Sequence, residues 1–421
     1  MRRLSAILAT SSNLQSIDMS GKAGTVLLLL LTLLVSCCRG PEVKPDVVGK
    51  GCTARKTLLV YMMAENNLNG FAALDVAEIV EAVPAVSSDS RIFVYVDDVN
   101  HPMLTQYFCM TNGEVGNSNH VLFTNDVCSS DTATLGKVLD YILKDYPTEE
   151  LDMIMWSHGS GWLRGPVNAA PQRSIGIDNG NNSYSNTITK TIEIEELAAL
   201  LKRLPVKVDR LMFDACFMQC VESSYALRGA AEWIIASPAE IPGNGALYST
   251  LVPCFFHSDG PIEIIDSYIK AYENEPAGAV LSAVCTKKMQ GLADMTYSYV
   301  IKYMNVDKMP DMEDVFAYLP GDVYASDNSY PSFYDMNALM LKFLRADEYV
   351  RWREAYDKAV VYAAASPRWD SLSCGRLTYD VFACGAMSAY VPQRNSRNEK
   401  FLDDFKTTEW YSAAGWEAAG W

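Results

Sequence analysis

A chain of 421 residues, 49% of them hydrophobic and 11% aromatic, is long enough for one large domain or two ordinary ones with a substantial core. Charged residues make up only 20% of the chain, which excludes an intrinsically disordered composition. The formal net charge of −16 argues against nucleic acid as a partner, because an acidic surface repels phosphates. Such a charge suits a soluble extracytoplasmic enzyme that acts on basic substrates, and solubility alone is the simpler interpretation.

The N-terminal segment has the features of an export signal. An unbroken apolar run, Thr25–Val35, follows Lys22 and is too short to span a bilayer comfortably. A small residue, Ser36, then stands directly before Cys37, an order that resembles a bacterial lipobox. The resemblance implies a signal peptide over residues 1–36, lipidation of Cys37 and an exported, membrane-anchored lipoprotein in the cell envelope, at the outer membrane or on the cell surface. A plain secretory signal with an incidental cysteine is the alternative.

The segment after the signal is rich in glycine and proline. Residues 37–56 are therefore predicted to form a flexible tether between the lipid and a folded domain. That domain is predicted to cover residues 57–421, because neither an internal repeat nor a second-domain boundary is recognisable. No later segment approaches transmembrane length, so we expect the domain to be soluble and held at the bacterial membrane by its lipid anchor.

From Thr57 onward, short apolar runs alternate with segments of helical spacing. The runs predicted as buried strands are 57–63, 91–96, 151–156, 208–213 and 233–236, with a late strand at 385–391. The predicted helices cover 68–83, 130–146, 193–204, 217–231, 262–273, 289–303 and 346–365. Residues 104–109 and 121–124 fit two further strands with antiparallel pairing. Strands that alternate with helices indicate an α/β fold with a mostly parallel sheet, covered on both faces.

A histidine follows the predicted strand that ends at Trp156. Of the four histidines in the chain, only His158 comes directly after a buried strand and precedes a glycine. Gly159 lets the backbone turn sharply and can bring an N–H close to a ligand. Reactive groups in open α/β sheets lie at the carboxyl ends of strands, which makes His158 a candidate general base. A purely structural histidine is the alternative.

A cysteine follows the predicted strand that ends at Phe213. Cys216 lies in a predicted strand-to-helix turn, where a helix N-terminus favours the thiolate and a nearby histidine can take the proton. Cys216 is therefore a candidate nucleophile, and a core cysteine is the alternative. No ligand set at zinc spacing stands beside Cys216 and Cys220, so no metal is assigned to this turn.

The residues around His158 and Cys216 resemble those of the clan that includes the caspases, legumain, gingipains and clostripain. Trp156–Trp162 resembles the clostripain-type motif Trp-x-His-Gly-x-Gly-Trp, and Phe213–Met218 resembles the motif Phe-Asp-Ala-Cys-x-Met. Softer similarities lie at Ala236–Gly243, Tyr334–Met336, Ala386–Pro392 and Trp410–Trp416. The likeness runs from about Thr57 to the end of the chain. It implies a caspase-like α/β/α sandwich with a mostly parallel central sheet and a clostripain-like peptidase domain.

The resemblance also implies the roles of the residues. In a cysteine endopeptidase of this clan, Cys216 attacks the scissile carbonyl, His158 protonates the leaving amine, and the N–H groups of Gly159 and Cys216 form the oxyanion hole. The pair works as a dyad, so no third member is named and no cofactor is required. Protein or peptide substrates with a basic P1 residue are implied as partners.

Cleavage after Arg or Lys requires a carboxylate in the specificity pocket, because a buried cation must be paired. The position that matches in the resemblance is Asp214, two residues before Cys216, and Glu240 is the second candidate for this S1 pocket. A carboxylate that only hydrogen-bonds turn N–H groups is the alternative for Asp214.

Members of this group are often zymogens that are cut between the histidine and the cysteine. The stretch 161–191 is long and polar, and Arg173 is the preferred activation cleavage site because a trypsin-like specificity could cut there in itself. The segment Asp178–Asn182 is rich in oxygen ligands, and Ca²⁺ stays open because some relatives use it. Its spacing does not match an EF-hand, so a plain turn is the simpler interpretation.

Two other classes of protein compete with a peptidase. An α/β-hydrolase esterase needs a Gly-x-Ser-x-Gly elbow on a later strand, which the sequence does not contain. A surface lipoprotein that binds ligands on an inactive peptidase fold is the remaining alternative. The presence of both His158 and Cys216 argues against it.

Overall fold

The apolar runs of the sequence form a sheet whose first strand is buried along almost its whole length. All residues of the strand Ala54–Met63 except Arg55 are buried. A strand covered on both faces needs no alternation of polar and apolar residues, so it reads as a continuous apolar run. The computed structural model describes residues 49–98, 102–163, 174–180, 191–308, 311–319, 331–367, 369–371, 375–377, 385–394 and 396–421.

The strands form one large sheet and two small ones. In chain order, those of the described residues are β1 Ala54–Met63, β2 Ser90–Asp97, β3 Met103–Cys109, β4 Val115–His120, β5 Thr148–Trp156, β6 Val208–Asp214, β7 Ala231–Ala236, β8 Val280–Cys285, β9 Ala317–Leu319, β10 Phe333–Asp335, β11 Val360–Ala365, β12 Trp369–Ser371, β13 Gly375–Leu377 and β14 Ser388–Ala389. The large sheet has the order β11-β8-β7-β6-β5-β1-β2-β3-β4. Its five central strands, from β7 to β2, are parallel, and two antiparallel strands lie at each edge.

Helices cover both faces of the large sheet. Those of the described residues are α1 Asn69–Ala82, α2 Thr132–Asp145, α3 Ile194–Leu201, α4 Val221–Ala226, α5 Tyr248–His257, α6 Ile262–Ala271, α7 Met289–Tyr303, α8 Met336–Phe343, α9 Ala346–Ala359, α10 Ser396–Lys406 and α11 Glu409–Ala413. Successive residues of β1 point to opposite faces. Leu59 belongs to the same core cluster as Leu135 of α2, and Leu58 belongs to a second cluster with Ile79 of α1. The expected sandwich of helices around a mostly parallel sheet is confirmed.

Four predicted boundaries are wrong. The helix predicted at 217–231 is confined to α4, and the strand predicted at 121–124 lies earlier, at β4. The helix predicted at 346–365 ends at Ala359, and the residues after it form β11. The late strand predicted at 385–391 is reduced to the two residues of β14.

The described residues all belong to one compact unit. Its first strand begins at Ala54, inside the range predicted as a tether. The predicted signal peptide and Cys37 lie outside the described residues. Within the described ranges, we find no helix with the length and apolar character needed to cross a bilayer.

Candidate active site

The pairing of β5 with β6 brings the two predicted catalytic loops to the same edge of the sheet. These strands are parallel neighbours, and Trp156 is paired with Asp214. His158 and Cys216 each stand two residues beyond that pair. The histidine and the cysteine therefore emerge side by side at the carboxyl ends of adjacent strands, where α/β folds place their reactive groups.

Contact between the two loops is close enough to exclude a side chain at Gly159. A Cβ atom placed there would lie 2.7 Å from the Cys216 carbonyl oxygen and 2.9 Å from the Met218 sulfur. Neither distance is tolerable for a real Cβ, so the His158 loop can rest on the Cys216 loop only with glycine at this position.

The Cys216 loop turns through a backbone conformation that side chains rarely adopt. Phe217 has a φ of 62°, in the left-handed region. Its N–H donates to the Ala239 carbonyl oxygen at 2.9 Å, and its ring stacks on Phe333 at a centroid distance of 5.1 Å. Gly161 of the opposite loop, with a φ of 69°, fits against the Phe217 carbonyl, where a Cβ would lie only 2.9 Å from that oxygen. Tertiary contacts on both sides thus fix this turn.

A short segment of the loop between His158 and Cys216 supports the histidine. Gly159 forms an isolated antiparallel bridge with Ile175. The bonds of that bridge run from the Gly176 N–H to the His158 carbonyl at 3.0 Å, and from the Ser160 N–H to the Ser174 carbonyl at 3.2 Å. The N–H of Gly159 itself takes no part in the bridge. This is the group that the predicted oxyanion hole requires.

One neighbour of His158 is not among the residues that the sequence predicts. The Asn67 side-chain oxygen lies 2.6 Å from His158 Nε2. An amide oxygen can only accept, so in this arrangement Nε2 carries the proton and Nδ1 is the basic nitrogen. Asn67 follows β1, which is the strand beside β5. The sequence feature that could have pointed to Asn67 is therefore a polar residue shortly after a strand that ends at the same sheet edge.

The Cys216 side chain is half-buried, and its sulfur contacts the loop that follows β7. The Ile241 N–H donates to Cys216 Sγ at 3.4 Å. Burial raises the pKa of the Cys216 thiol to about 12, although the hydrogen bond with Ile241 lowers it, and the neighbouring carboxylates of Glu240 and Asp214 raise it further. The expectation that a helix N-terminus favours the thiolate is wrong, because α4 begins only at Val221.

Asp214 is a buried carboxylate with its own set of donors. It accepts from the Ala246 N–H at 3.0 Å, from the Tyr248 hydroxyl at 2.9 Å and from the Tyr268 hydroxyl at 3.4 Å. Burial raises the pKa of Asp214, and these three hydrogen bonds lower it. The carboxylate is consequently fixed in orientation immediately before the Cys216 loop.

Glu240 lies in the loop that follows β7, further along the chain than Cys216. It is buried, with 9% of its surface exposed, and adjoins Ile241, whose N–H contacts the Cys216 sulfur. Both predicted S1 carboxylates are therefore close to the candidate nucleophile in space. Arg173, the predicted cleavage site, lies outside the described residues.

A caspase-like sheet that carries a histidine and a cysteine on touching loops defines the class of protein, a cysteine peptidase of the α/β type. The model of the clostripain family matches residues 60–421, and the chain belongs to that family. The predicted family, fold and cysteine-peptidase class are confirmed.

Three relatives illustrate the likeness. A clostripain from Hathewaya histolytica is 25% identical over an alignment of 227 residues, and the alignment covers 48% of this chain but only 42% of that protein. A secreted C11 cysteine protease from Bacteroides thetaiotaomicron, solved with an irreversible peptide inhibitor, has a TM-score of 0.73 at 25% identity over 87% of this chain and 100% of its own. An inactive zymogen C11 protease from Parabacteroides distasonis has a TM-score of 0.71 at 25% identity over 86% of this chain and 98% of its own.

Proposed function

We propose that the chain is an exported, lipid-anchored cysteine endopeptidase that cleaves after Arg or Lys with Cys216 and His158. The observation that carries the proposal is the contact between the two loops, where Gly159 rests on the Cys216 carbonyl at the paired ends of β5 and β6. Membership of the clostripain family supports the same chemistry.

The proposed reaction uses few groups. His158 takes the proton of the Cys216 thiol, and the sulfur attacks the scissile carbonyl, so that a C–S bond forms and negative charge moves to the carbonyl oxygen. The N–H groups of Gly159 and Cys216 would donate to that oxygen. His158 then gives its proton to the leaving amine as the C–N bond breaks. A water molecule deprotonated by His158 hydrolyses the thioester and restores both residues.

Several contacts favour activation by cleavage between His158 and Cys216. The half-buried thiol is hydrogen-bonded to Ile241, and desolvation raises its pKa, which favours the protonated form at neutral pH. The stretch that contains Arg173 leads directly into the Ser174–Gly176 segment, which bonds the His158 loop. A cut at Arg173 would release one end of that segment. The relative from Parabacteroides distasonis, described as an inactive zymogen, is consistent with such a resting form.

A covalent probe tests the peptidase against the alternative of a ligand-binding lipoprotein. An irreversible peptide probe with Arg at P1 is expected to label the wild type, after trial proteolysis of the 161–191 stretch if necessary, but not Cys216→Ala. Cys254→Ala is the matched control because Cys254 is also a half-buried free thiol. Equal labelling of Cys216→Ala would refute the assignment of the nucleophile. A wild type that stays unlabelled after trial proteolysis would favour the binding protein.

The basic P1 preference is tested with isosteric amides. Asp214→Asn retains acceptor geometry for Ala246 and Tyr248, and we expect it to lose cleavage after Arg and Lys while Cys216 still reacts with iodoacetamide. Glu240→Gln is the comparison. If Asp214→Asn keeps its basic specificity and Glu240→Gln loses it, the S1 role belongs to Glu240.

The lipid anchor is tested on the intact mature protein. Mass spectrometry is expected to find an N-terminal Cys37 that carries acyl chains, and Cys37→Ser is expected to move the protein from the membrane to the soluble fraction. An unmodified mature terminus at another residue would indicate a plain secretory signal instead.

A further inference from the structure

A cavity of about 400 Å³ opens on the face of the large sheet that α1, α5 and α6 cover. Its walls come from α1, from residues 244–247 before α5, and from the end of α6 with the residues that follow it. Neither His158 nor Cys216 lines it. A cavity of this size can hold a small ligand or a long side chain, and the proposed catalytic reaction does not occupy it.

The lining of this cavity is acidic. Asp75, Glu78 and Glu275 contribute carboxylates, whereas no lysine, arginine or histidine is among the described residues that line it. Carboxylates gathered in a low-dielectric cleft attract cations. The Tyr248 N–H donates to Glu78 Oε2 at 2.7 Å, so the carboxylate of Glu78 is held in position.

Exposed lining residues add apolar surface at the entrance. Leu74 on α1 is 62% exposed and Leu247 is 39% exposed. The Phe71 ring lies against Gly243, where a Cβ would approach it to 3.3 Å. Lysine and arginine pack their methylene groups on apolar surface and place the charged head group beside a carboxylate. An apolar entrance above acidic groups therefore suits one basic side chain.

Asp75 is the carboxylate that points to a ligand. Only 3% of the residue is exposed, and its Oδ2 accepts from Trp156 Nε1 at 2.8 Å. Its Oδ1 has no hydrogen-bond partner in the described part of the chain, although the residue lines the cavity. Burial, followed by the carboxylate of Asp214, raises the pKa of Asp75 to about 8 against the opposing effect of the Trp156 bond. A buried carboxyl oxygen without a partner is costly, and a cation in the cavity would supply one.

The cavity adjoins the residues that lead into both candidate catalytic loops. Asp75 bonds Trp156, the last residue of β5, two residues before His158. Gly245 lines the cavity and also packs against Asp214, where a Cβ would lie 2.6 Å from Asp214 Oδ2. Asp214 itself does not line the cavity. The cavity therefore lies beside the carboxylate proposed for P1 and has carboxylates of its own.

We propose that this cavity binds a second lysine or arginine side chain of the polypeptide substrate, besides the basic residue at P1. The proposal rests on the proposed peptidase function, because it takes the occupant from the chain that Cys216 and Asp214 hold. Successive residues of an extended peptide are about 3.3 Å apart, so a wall one backbone thick places the two basic residues within a few positions of each other. The expected substrates are chains with two neighbouring basic residues.

Binding is measured with Cys216→Ala, which cannot cleave, both whole and after trial proteolysis of the 161–191 stretch. Fluorescence anisotropy compares peptides that carry a P1 arginine and a lysine moved through the neighbouring positions with the same peptides in which norleucine replaces that lysine. At one position or more, we expect the lysine peptide to bind about tenfold tighter, the effect of one charge-assisted pair.

Glu275→Gln and Asp75→Asn, added to Cys216→Ala, test the carboxylates. Glu275 is exposed, so its replacement spares the core, and an asparagine at position 75 can still accept from Trp156. We expect the lysine advantage to fall to about threefold or less with either change and to disappear with both. Glu273→Gln, an exposed glutamate that does not line the cavity, is the matched control and should keep the advantage. The Tm of each variant shows whether it is folded.

Kinetics of the active wild type supply a second readout. The lysine is expected to lower KM more than it raises kcat, because its side chain lies away from the bond that is cut. Equal affinity of lysine and norleucine peptides at every position, or an advantage that survives the double replacement, would overturn the subsite. If a probe labels Cys216 while the lysine has no effect, the peptidase stands and only the subsite fails. If the probe does not label Cys216 but lysine peptides still bind through Asp75 and Glu275, only the peptidase proposal fails.

Discussion

At the residue scale, the orientation of the His158 ring depends on a side chain from another strand end. The Asn67 side-chain oxygen accepts a hydrogen bond from His158 Nε2 at 2.6 Å, which leaves Nδ1 as the basic nitrogen. We expect Asn67→Ala to lower kcat by about tenfold with little change in KM, because the base remains but is no longer fixed in position. Asn67→Asp, which keeps an acceptor, should recover most of the rate.

Steady-state kinetics on an Arg-containing peptide measure this effect, with Asn69→Ala as a control two residues further along the chain. A raised KM with unchanged kcat would mean that Asn67 contacts substrate rather than positioning His158. Equal loss in Asn67→Ala and Asn67→Asp would mean that the hydrogen bond has no orienting role.

The meeting of His158 and Cys216 at one sheet edge could be predicted from the sequence, whereas the contact between His158 and Asn67 could not. His158 and Cys216 each follow a buried apolar run, and such runs identify strand ends without knowledge of the neighbours. The contact with Asn67 exists only because β1 lies beside β5 in the sheet. The raised pKa of Cys216 could not be predicted either, because it depends on burial in the folded chain and on the nearby carboxylate of Glu240.

At the element scale, the first turn of α4 is connected to the C-terminal part of the chain by a buried carboxyl group. Glu222 accepts from the Tyr390 N–H at 2.8 Å, directly after β14. Burial raises the pKa of Glu222 to about 8, although that hydrogen bond lowers it. The folded protein therefore holds a proton at Glu222 between pH ~4.3, the ordinary value of an unfolded glutamate, and pH ~8.

This proton makes stability fall as the pH rises. Because the native state binds more protons than the unfolded state in that window, Glu222 lowers the free energy of unfolding by up to roughly 1.4 kcal/mol per pH unit between pH ~5 and ~8. Glu222→Gln, which can still accept from Tyr390, should remove that slope and be the more stable protein at pH ~8.

Urea unfolding of the wild type and Glu222→Gln at three pH values across this window measures the difference. Asp75 and Asp97 also have raised pKa values, to about 8 and about 9, so the wild-type curve alone does not isolate one residue. Parallel curves for the two proteins would show that Glu222 is ionised in the folded state.

The misplaced helix after Cys216 has a physical reason. Residues 217–231 have an apolar pattern that suits a helix, but the Phe217 and Gln219 N–H groups donate instead to the carbonyls of Ala239 and Ser237. Pairing with a neighbouring loop thus replaces the first helical turn, and no local pattern could indicate it. Val360–Ala365 is a similar case, since this Ala-rich segment becomes a strand only by pairing with β8.

At the scale of the whole molecule, the alternation of strands and helices predicts the α/β class but not the order of the strands. Parallel crossovers place β1 between β5 and β2, and this order decides which loops meet. The order of the strands also determines which strands the proposed cleavage would lie between. Arg173 lies between β5 and β6, which are hydrogen-bonded neighbours in the centre of the sheet.

A cut after Arg173 would separate the chain into two fragments that share one core. The N-terminal fragment would contain β1 to β5 and the C-terminal fragment β6 onward, with the pairing of β5 and β6 intact between them. We expect incubation of the purified wild type to yield fragments that stay together in gel filtration and separate only in denaturant. Intact-mass spectrometry should place the new ends at Arg173 and Ser174, and the cut should be lost in Cys216→Ala.

The variants Arg173→Gln and Cys216→Ala separate two questions, namely where the chain is cut and which protease cuts it. Loss of the cut in Arg173→Gln would place the cleavage at Arg173. Cleavage of Cys216→Ala by added active wild type would show that one molecule cuts another. A cut that persists in purified Cys216→Ala would assign processing to another protease, and a wild type that stays whole but reacts with the probe would show that no cleavage is needed. Because the sheet joins both fragments through its central strands, processing can change the loop around His158 without dissolving the fold.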